Sequence, residues 1–445
     1  QPFMKTSLHL FFGFYFFFST FAFSQVQKLP RRAFLGIQMD LTQQTAERKA
    51  ATNGKGVLIT NVFAFSTAVE AGLRINDILL KINDKEVNTP NEAVEEVRTL
   101  PLQSQISFTV FRNGQEMVFK TVMKTYPVEQ TDDILTTYSQ VQSSNALLRS
   151  IINHPKQSGK FPAVVWVTGV SCYSVDTPFD TLSAEVKIAR FLARNGFVVM
   201  RLDRPGLGDS KGGVPCQQMD FKTEAQHYIK GIQELKKSTY VDSNRIFLIG
   251  HSMGGVLGPL IAEEEKVKGI IAYGTIGKPF IEYLIDSRRA QAEKVYQMEG
   301  SEIDSYMRDI TDLCGKFLNE RKSLTQIVQE KPNYQEISGL FASRTPDYWH
   351  QLHELNIARN WEDFKGYTLL LWGKHDYISH PDEHTTIQRT IARQSPNKVS
   401  YIPLDNTNHS MSYHETWDMA RNQQVGGEYN PKVGEEMLKW MQNIH

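Results

Sequence analysis

The stretch from Arg245 to Glu264, RIFLIGHSMGGVLGPLIAEE, constrains the fold more than any other part of the chain. It opens with RIFLIG, the apolar run of a buried strand, and continues with GGVLGPLIAEE, a helix start rich in small residues. A strand that passes directly into a helix is the repeating unit of a mostly parallel sheet covered by helices. The stretch therefore predicts an α/β fold.

The same alternation of strands and helices begins near residue 134 and stops between residues 277 and 360. In the interrupted region the sequence has helical periodicity and many charged residues. An insertion of about 80 residues is too long for an unstructured loop in a compact domain. We therefore predict a domain at residues 134–445, with a helical cap inserted at residues 277–360.

Length and charge limit the organisation and the partners. The chain has 445 residues, with 49 Lys and Arg against 49 Asp and Glu. This length exceeds what one hydrophobic core usually supports, so two domains are expected. A balanced charge offers no overall attraction to the phosphates of nucleic acids or of anionic membranes. We therefore expect no nucleic-acid partner.

Residues 33–124 read as a small β-rich unit. The segments FLGIQMDL, GKGVLITNV, DILLKIND and ISFTVF are strand-like, and NEAVEEVRTL after Thr89-Pro90 is helical. Asn113-Gly114 is a hairpin signal. This succession resembles a PDZ domain, and we assign residues 125–133 to the linker that follows it.

The resemblance implies a peptide-binding groove. In PDZ domains, backbone N–H groups of one loop hold a peptide's C-terminal carboxylate, and the peptide adds as a strand beside a helix. Carried over, Leu35, Gly36 and Ile37 supply the amides, and the helix face around Ala93 and Val97 lines the side-chain pocket. The alternative is a packing or dimerisation unit with an empty groove.

The N-terminal segment indicates export. A single Lys5 precedes an apolar run from Leu8 to Phe23, and Ala22 and Ser24 form a small-residue cleavage site. We predict a signal peptide at residues 4–24, a periplasmic or extracellular location, and no stable membrane insertion after cleavage. The alternative is an anchor that is retained.

Ser252, in the Gly-x-Ser-x-Gly motif GHSMGG, is the predicted nucleophile. A serine between a strand and a helix forms a nucleophile elbow, and its hydroxyl needs a base and a group that orients the base. In chain order the acid and then the histidine follow the serine. Asp376 lies just past the strand YTLLLWG, and His409 lies past VSYIPL. The reserve acids are Asp382 and Asp405.

Residues 134–445 thus resemble an α/β-hydrolase with a cap between its sixth and seventh strands. The resemblance implies an oxyanion hole made by the backbone N–H groups of Met253 and of a residue after PAVVWVTG, which we take as Val170. The family usually has a His-Gly pair in that loop, where this chain has Thr168-Gly169. Supporting or surface roles are assigned to the remaining candidates, namely Asp203, Arg204, His375, His380, His384 and His414.

The three cysteines are interpreted within this fold. Cys172 and Cys216 fall in loops at the carboxyl side of neighbouring strands, and export permits a disulfide between them. Cys314 is then the unpaired thiol; the alternative is three reduced cysteines. No Cys/His spacing matches a zinc site, so neither metal nor cofactor is expected.

These features predict an exported serine hydrolase that cleaves a carboxylic ester of a small molecule. The alternative is a serine peptidase of the same mechanism, acting on peptides recruited by the PDZ-like domain. A third hypothesis is a non-catalytic scaffolding protein. Apolar cap residues either line an acyl pocket or form the core of the cap; they are Phe280, Tyr283, Leu284, Phe317 and Trp349.

Overall fold

The structure is a computed structural model that describes residues 29–40, 49–50, 52–179, 183–423 and 427–444. The predicted signal peptide at residues 4–24 lies outside the described residues. Among those described, no helix has the length and apolar character needed to cross a membrane.

The N-terminal domain is built on an antiparallel sheet of six strands. Its strands are β1 (Ile37–Asp40), β2 (Val57–Val62), β3 (Ile78–Ile82), β4 (Lys85–Glu86), β5 (Gln105–Arg112) and β6 (Gln115–Val122), and its helices are α1 (Thr67–Ala71) and α2 (Pro90–Thr99). The order is β1-β2-β3-β5-β6, with β4 beside β3. Strand β1 therefore lies at an edge. Asn113 and Gly114, both at positive φ (51° and 83°), make the β5–β6 hairpin.

The second domain is built on a sheet of nine strands. They are β7 (Leu135–Ser143), β8 (Ala146–His154), β9 (Phe161–Val167), β10 (Val198–Leu202), β11 (Lys211–Gly212), β12 (Val241–His251), β13 (Gly269–Tyr273), β14 (Tyr367–Gly373) and β15 (Val399–Leu404). The order is β11-β8-β10-β9-β12-β13-β14-β15, with β7 beside β8. The run from β10 to β15 is parallel, and its strand order reverses at β9. Such a reversal opens a crevice at the carboxyl ends of the strands, where ligands bind.

Helices cover both faces of this sheet. They are α3 (Ala184–Arg194), α4 (Phe221–Leu235), α5 (Met253–Glu264), α12 (Pro381–Ala392) and α14 (Pro431–Gln442). On β9, Val165 and Val167 join one hydrophobic core, whereas Val164 and Trp166 join the other. Because successive strand residues face opposite sides, a strand buried on both faces must be apolar throughout. This explains the unbroken apolar run of PAVVWVTG.

Six α-helices lie between β13 and β14, and we call this segment the cap. They are α6 (Phe280–Lys294), α7 (Ser301–Cys314), α8 (Leu324–Glu330), α9 (Gln335–Ser338), α10 (Pro346–Glu354) and α11 (Ile357–Asp363). The five apolar cap residues singled out from the sequence are all buried in the larger hydrophobic core. The rings of Phe280 and Trp349 stack with centroids 5.6 Å apart. These side chains therefore hold the cap on the sheet.

Beyond β15, a short helix α13 (Trp417–Gln423) lies between two short strands, β16 (Ser412–Tyr413) and β17 (Glu428–Tyr429), which pair with each other.

A buried ionic cluster joins the two domains. Arg31 Nη1 lies 2.6 Å from carboxylate oxygens of both Asp176 and Asp209, whose side chains are fully buried. Arg149 of β8 donates to Asp209 from its Nε at 2.9 Å. Residues 125–133 pack against the second domain: Glu129 of this segment accepts a hydrogen bond at 2.8 Å from Arg201 of β10. The predicted linker is thus fixed by contacts on both sides.

Candidate active site

Ser252 lies in the tight turn between β12 and α5. Its backbone angles are φ 55° and ψ −123°, which a non-glycine residue adopts only under strain. The flanking glycines make the turn possible. A Cβ at Gly250 would lie 2.5 Å from the carbonyl oxygen of Gly254, and a Cβ at Gly254 would collide with the carbonyl oxygen of Val167. The arrangement projects the serine at the carboxyl edge of the sheet, as a nucleophile elbow does.

Asp376 and His409 are joined directly. Asp376 Oδ2 lies 2.8 Å from His409 Nδ1, and the aspartate side chain is fully buried while that of His409 is 12% exposed. The other carboxylate oxygen, Oδ1, accepts backbone N–H bonds from Ile378 (2.8 Å) and Ser379 (2.9 Å). The carboxylate is therefore fixed in rotation, with one oxygen directed at the imidazole.

The serine lies next to this pair. Its backbone N–H donates to the carbonyl of Tyr273 at 2.9 Å. Gly274 directly follows Tyr273, and a Cβ at Gly274 would lie 3.0 Å from the His409 ring. His251, the residue before the serine, contacts the backbone carbonyl of His409 through Nε2 at 2.9 Å. The described part of the structure contains no hydrogen bond between Ser252 Oγ and the His409 ring. Such contacts commonly tighten only when substrate binds.

Two backbone N–H groups flank the serine. Met253 is the first residue of α5, so its N–H has no acceptor within the helix. Val170 belongs to the β9 loop, which we define as residues 168–172. A Cβ at Gly169 would lie 3.2 Å from the Cβ of Ser252, which brings this loop against Ser252. Tyr228 anchors the loop, since its hydroxyl lies 2.8 Å from Thr168 Oγ1.

Several histidines support the site from behind. Burial and, to a lesser extent, the neighbouring His409 together lower the pKa of His251 to about 4. His251 is therefore neutral at pH 7, and its Nε2 must carry the proton because a carbonyl only accepts. His384 is fully buried, and burial lowers its pKa to about 4. His414 is also buried and contacts Asn408 at 3.0 Å.

The two reserve acids lie at the surface. Asp382 pairs with Lys278 at 2.5 Å, and its side chain is 54% exposed. Asp405 pairs with Lys374 at 2.6 Å and is 69% exposed. Within the described residues, no group of His, Cys, Asp and Glu is arranged to hold a metal ion.

A disulfide closes one side of the site. Cys172, in the β9 loop, is bonded to Cys216 with the two Cα atoms 5.9 Å apart. Cys314 at the end of α7 is a free, buried thiol, and burial raises its pKa to about 12. The loops that carry the disulfide follow β9 and β11, so it ties together the carboxyl side of the sheet.

A cavity of about 810 Å³ lies between β1 and α2 of the N-terminal domain, at the place of the predicted peptide groove. Its lining includes the five residues singled out from the sequence, namely Leu35, Gly36, Ile37, Ala93 and Val97. Gly206, Gly208 and Lys211 of the second domain line the same cavity. The backbone N–H of Arg32, another lining residue, donates to Asp209 of the second domain at 2.8 Å.

The sequence reasoning missed several residues that shape the site. Tyr228 and Glu224 lie on α4, and Arg344 lies in the cap between α9 and α10. All three contact the β9 loop or the residues that hold it. Helical periodicity marks a buried face on α4, but it does not indicate a contact with a loop elsewhere in the chain.

Known proteins give a consistent picture. Residues 33–122 match the family model of the PDZ domain, and residues 164–419 match that of the alpha/beta hydrolase family. Esterase EstD of Thermotoga maritima is 23% identical over 292 residues, covering 65% of this chain and 64% of that protein. A probable periplasmic serine endoprotease DegP-like of a Marinomonas species is 28% identical over 97 residues, which is 22% of this chain and 21% of that protein.

Among solved structures, a Pyrococcus furiosus esterase, Pf2001, aligns with a TM-score of 0.45 and 14% identity, over 72% of this chain and 97% of that one. This chain spans less than two thirds of the length of either curated relative. The predicted fold class, an α/β-hydrolase fold with a cap after a PDZ domain, is confirmed. With more than half of its length matched, the chain belongs to the alpha/beta hydrolase family.

Proposed function

We propose that this protein is an exported serine hydrolase that cleaves carboxylic esters through an acyl-enzyme. The observation that carries the proposal is the strained Ser252 at the strand–helix turn, beside the buried Asp376–His409 pair. A hydroxyl in this setting has the base and the orienting carboxylate that nucleophilic catalysis requires.

In the proposed reaction, Ser252 Oγ attacks the ester carbonyl carbon while His409 Nε2 takes the hydroxyl proton. The negative charge that develops on the carbonyl oxygen is held by the N–H groups of Met253 and Val170. The carbon–oxygen bond to the alcohol then breaks, and His409 returns the proton to the departing alcohol. Water, activated by the same histidine, hydrolyses the acyl-enzyme and releases the acid. Asp376 holds the imidazolium throughout.

Ester substrates are favoured over amides on two grounds. The cap inserted between β13 and β14 lies where esterases and lipases of this fold enclose an acyl group. The relative that matches 65% of this chain is named an esterase. The peptidase alternative is favoured by a different observation, the groove of the N-terminal domain, which a peptide substrate could occupy.

Export is supported by the sequence of residues 4–24, by the disulfide and by a relative named as periplasmic. Disulfides persist in oxidising compartments and are rare in the cytosol. N-terminal sequencing of the mature protein checks the cleavage after Ser24, and a chain that begins at Met4 would contradict it.

A serine-directed fluorophosphonate probe tests the enzyme assignment. We expect the wild type to be labelled and Ser252→Ala to remain unlabelled, because the probe bonds only to an activated hydroxyl. Ser410→Ala is the matched control and should be labelled like the wild type. An unlabelled wild type would overturn the proposal of a serine hydrolase and leave the scaffolding hypothesis.

A substrate panel then separates ester from amide cleavage. We expect turnover of acyl esters with short to medium chains, and little turnover of aminoacyl amides. Cleavage of amides alone would reverse the choice in favour of the peptidase.

We further propose that the groove between β1 and α2 binds the C-terminus of a peptide. The N–H groups of Leu35 and Gly36 donate to no acceptor among the described residues, which leaves them free for a carboxylate. A peptide library with free C-termini should contain binders that lose affinity when their C-terminus is amidated. A charged side chain in the cavity, Val94→Glu, should abolish this binding without affecting ester turnover, because Val94 lines the cavity and is 42% exposed. Equal binding of amidated peptides would contradict the assignment.

A further inference from the structure

Two buried arginines hold consecutive carbonyl groups of the β9 loop. Arg204 donates from Nη1 to the carbonyl of Gly169 at 3.0 Å and from Nη2 to that of Ser171. Arg344 donates from Nη1 to the carbonyl between them, that of Val170, at 3.0 Å. Three successive peptide groups are thus held from one side by two guanidinium groups.

This contact sets the direction of the N–H groups in the loop. A trans peptide directs its carbonyl and its N–H to opposite sides, and no described peptide bond is cis. The carbonyl of Gly169 and the N–H of Val170 belong to the same peptide group. The guanidinium of Arg204 that holds this carbonyl therefore turns the Val170 N–H away from itself. Gly169 lies against Ser252, so that N–H belongs to the segment next to the nucleophile.

Glu224 fixes the two arginines. Its Oε1 accepts from Arg204 at 2.8 Å and its Oε2 accepts from Arg344 at 2.5 Å, while its side chain is fully buried. The ring of Tyr348 lies 3.9 Å from the Arg344 guanidinium carbon, which adds a cation–π contact. Two guanidinium charges and one carboxylate leave a net charge of +1 behind the β9 loop.

The two arginines reach the loop from different parts of the chain. Arg204 follows β10 of the sheet, whereas Arg344 belongs to the cap, 174 residues from Val170 in sequence. The carbonyl of Val170 is thus held only while this part of the cap lies on the sheet. The orientation of the β9 loop therefore depends on both the sheet, through Arg204, and the cap, through Arg344.

We propose that Arg204 and Arg344 are positioning residues: Arg204 orients the Val170 N–H as an oxyanion donor through the carbonyl of Gly169, and Arg344 fixes the next peptide group through the carbonyl of Val170, so that the orientation of Val170 depends on the docked cap. This inference rests on the proposed acyl-transfer function. The guanidinium groups polarise the peptide groups they hold, which strengthens the opposite N–H as a donor, and the net positive charge favours an anion at the site. Neither arginine touches the substrate in this assignment.

The full chain with Arg344→Lys or Arg204→Lys tests the assignment. Lysine keeps the charge but cannot hold several acceptors in a planar fork. We expect kcat to fall about 10- to 100-fold, because losing an oxyanion donor entirely costs about 10²–10³-fold. KM should stay nearly unchanged, and affinity for a trifluoromethyl ketone transition-state analogue should fall by the same factor as kcat. Arg149→Lys is the matched control, because Arg149 is equally buried and ion-paired but does not contact the β9 loop.

A second variant, Arg344→Met, guards against misfolding of the lysine variants. It leaves Arg204 and Glu224 as one cation paired with one anion, so no buried charge is left unpaired while the carbonyl of Val170 loses its donor. It should show the same loss of kcat and of analogue affinity. Folded variants with wild-type kcat and analogue affinity would overturn the positioning role, as would a rise in KM with unchanged kcat. A wild type that neither turns over esters nor reacts with the fluorophosphonate would instead refute the proposed function.

Discussion

Asp376→Asn should lower ester turnover by about 10⁴-fold while leaving the fold intact, as the equivalent change does in other serine triads. The reason lies in the two oxygens of the carboxylate. Oδ1 accepts the N–H groups of Ile378 and Ser379, so an asparagine must place its amide oxygen there. Its NH₂ group then faces His409 Nδ1 and donates to it. The imidazole is driven to the tautomer protonated at Nε2, which cannot take the proton from Ser252.

Steady-state kinetics on an ester, together with thermal unfolding, measures this effect. Asp405→Asn and Asp382→Asn are the matched controls, because each removes an exposed carboxylate that pairs with a lysine. Such pairs contribute little, so both variants should keep wild-type turnover and stability. A large loss of turnover in Asp382→Asn, with Asp376→Asn active, would make Asp382 the acid instead.

The sequence could place Ser252, Asp376 and His409 together because each follows a strand of one parallel sheet. In such a sheet the carboxyl ends of the strands meet at a single edge, so position along the chain translates into proximity. The unbroken apolar runs identified the strands, and the glycines of GHSMGG identified the turn. This reasoning needs only local patterns and the order of the elements.

The residues that support the site follow no such rule. Arg344 contacts Glu224 across 120 residues, through a cap whose helices are placed by their own packing. His384 and His414 lie in polar stretches of sequence, yet both are buried. His384 lies on α12, between β14 and β15, and His414 directly follows β16. A local pattern indicates that a side chain is polar, but the partner that permits its burial is set by long-range contacts.

Asp209→Ala should lower the free energy of unfolding by about 3–5 kcal/mol, because it removes one partner of a buried ion cluster. Asp209 accepts from Arg31 Nη1 at 2.6 Å, from Arg149 Nε at 2.9 Å and from the backbone N–H of Arg32 at 2.8 Å. Its removal leaves Arg149 without a carboxylate partner in a buried position and Arg31 with Asp176 alone.

Denaturant unfolding followed by fluorescence measures that loss, and limited proteolysis reports where it acts. We expect the N-terminal domain of Asp209→Ala to be cleaved from the second domain faster than in the wild type, because Arg31 and Arg32, directly before the N-terminal domain, bind this carboxylate. Asp133→Ala is the matched control. It removes an exposed carboxylate of the connecting segment that pairs with Arg194 of α3, and it should change neither measurement. Wild-type unfolding and proteolysis of Asp209→Ala would mean that the domains are held by the stacked rings of Phe34 and Phe179, whose centroids lie 5.3 Å apart, rather than by charge.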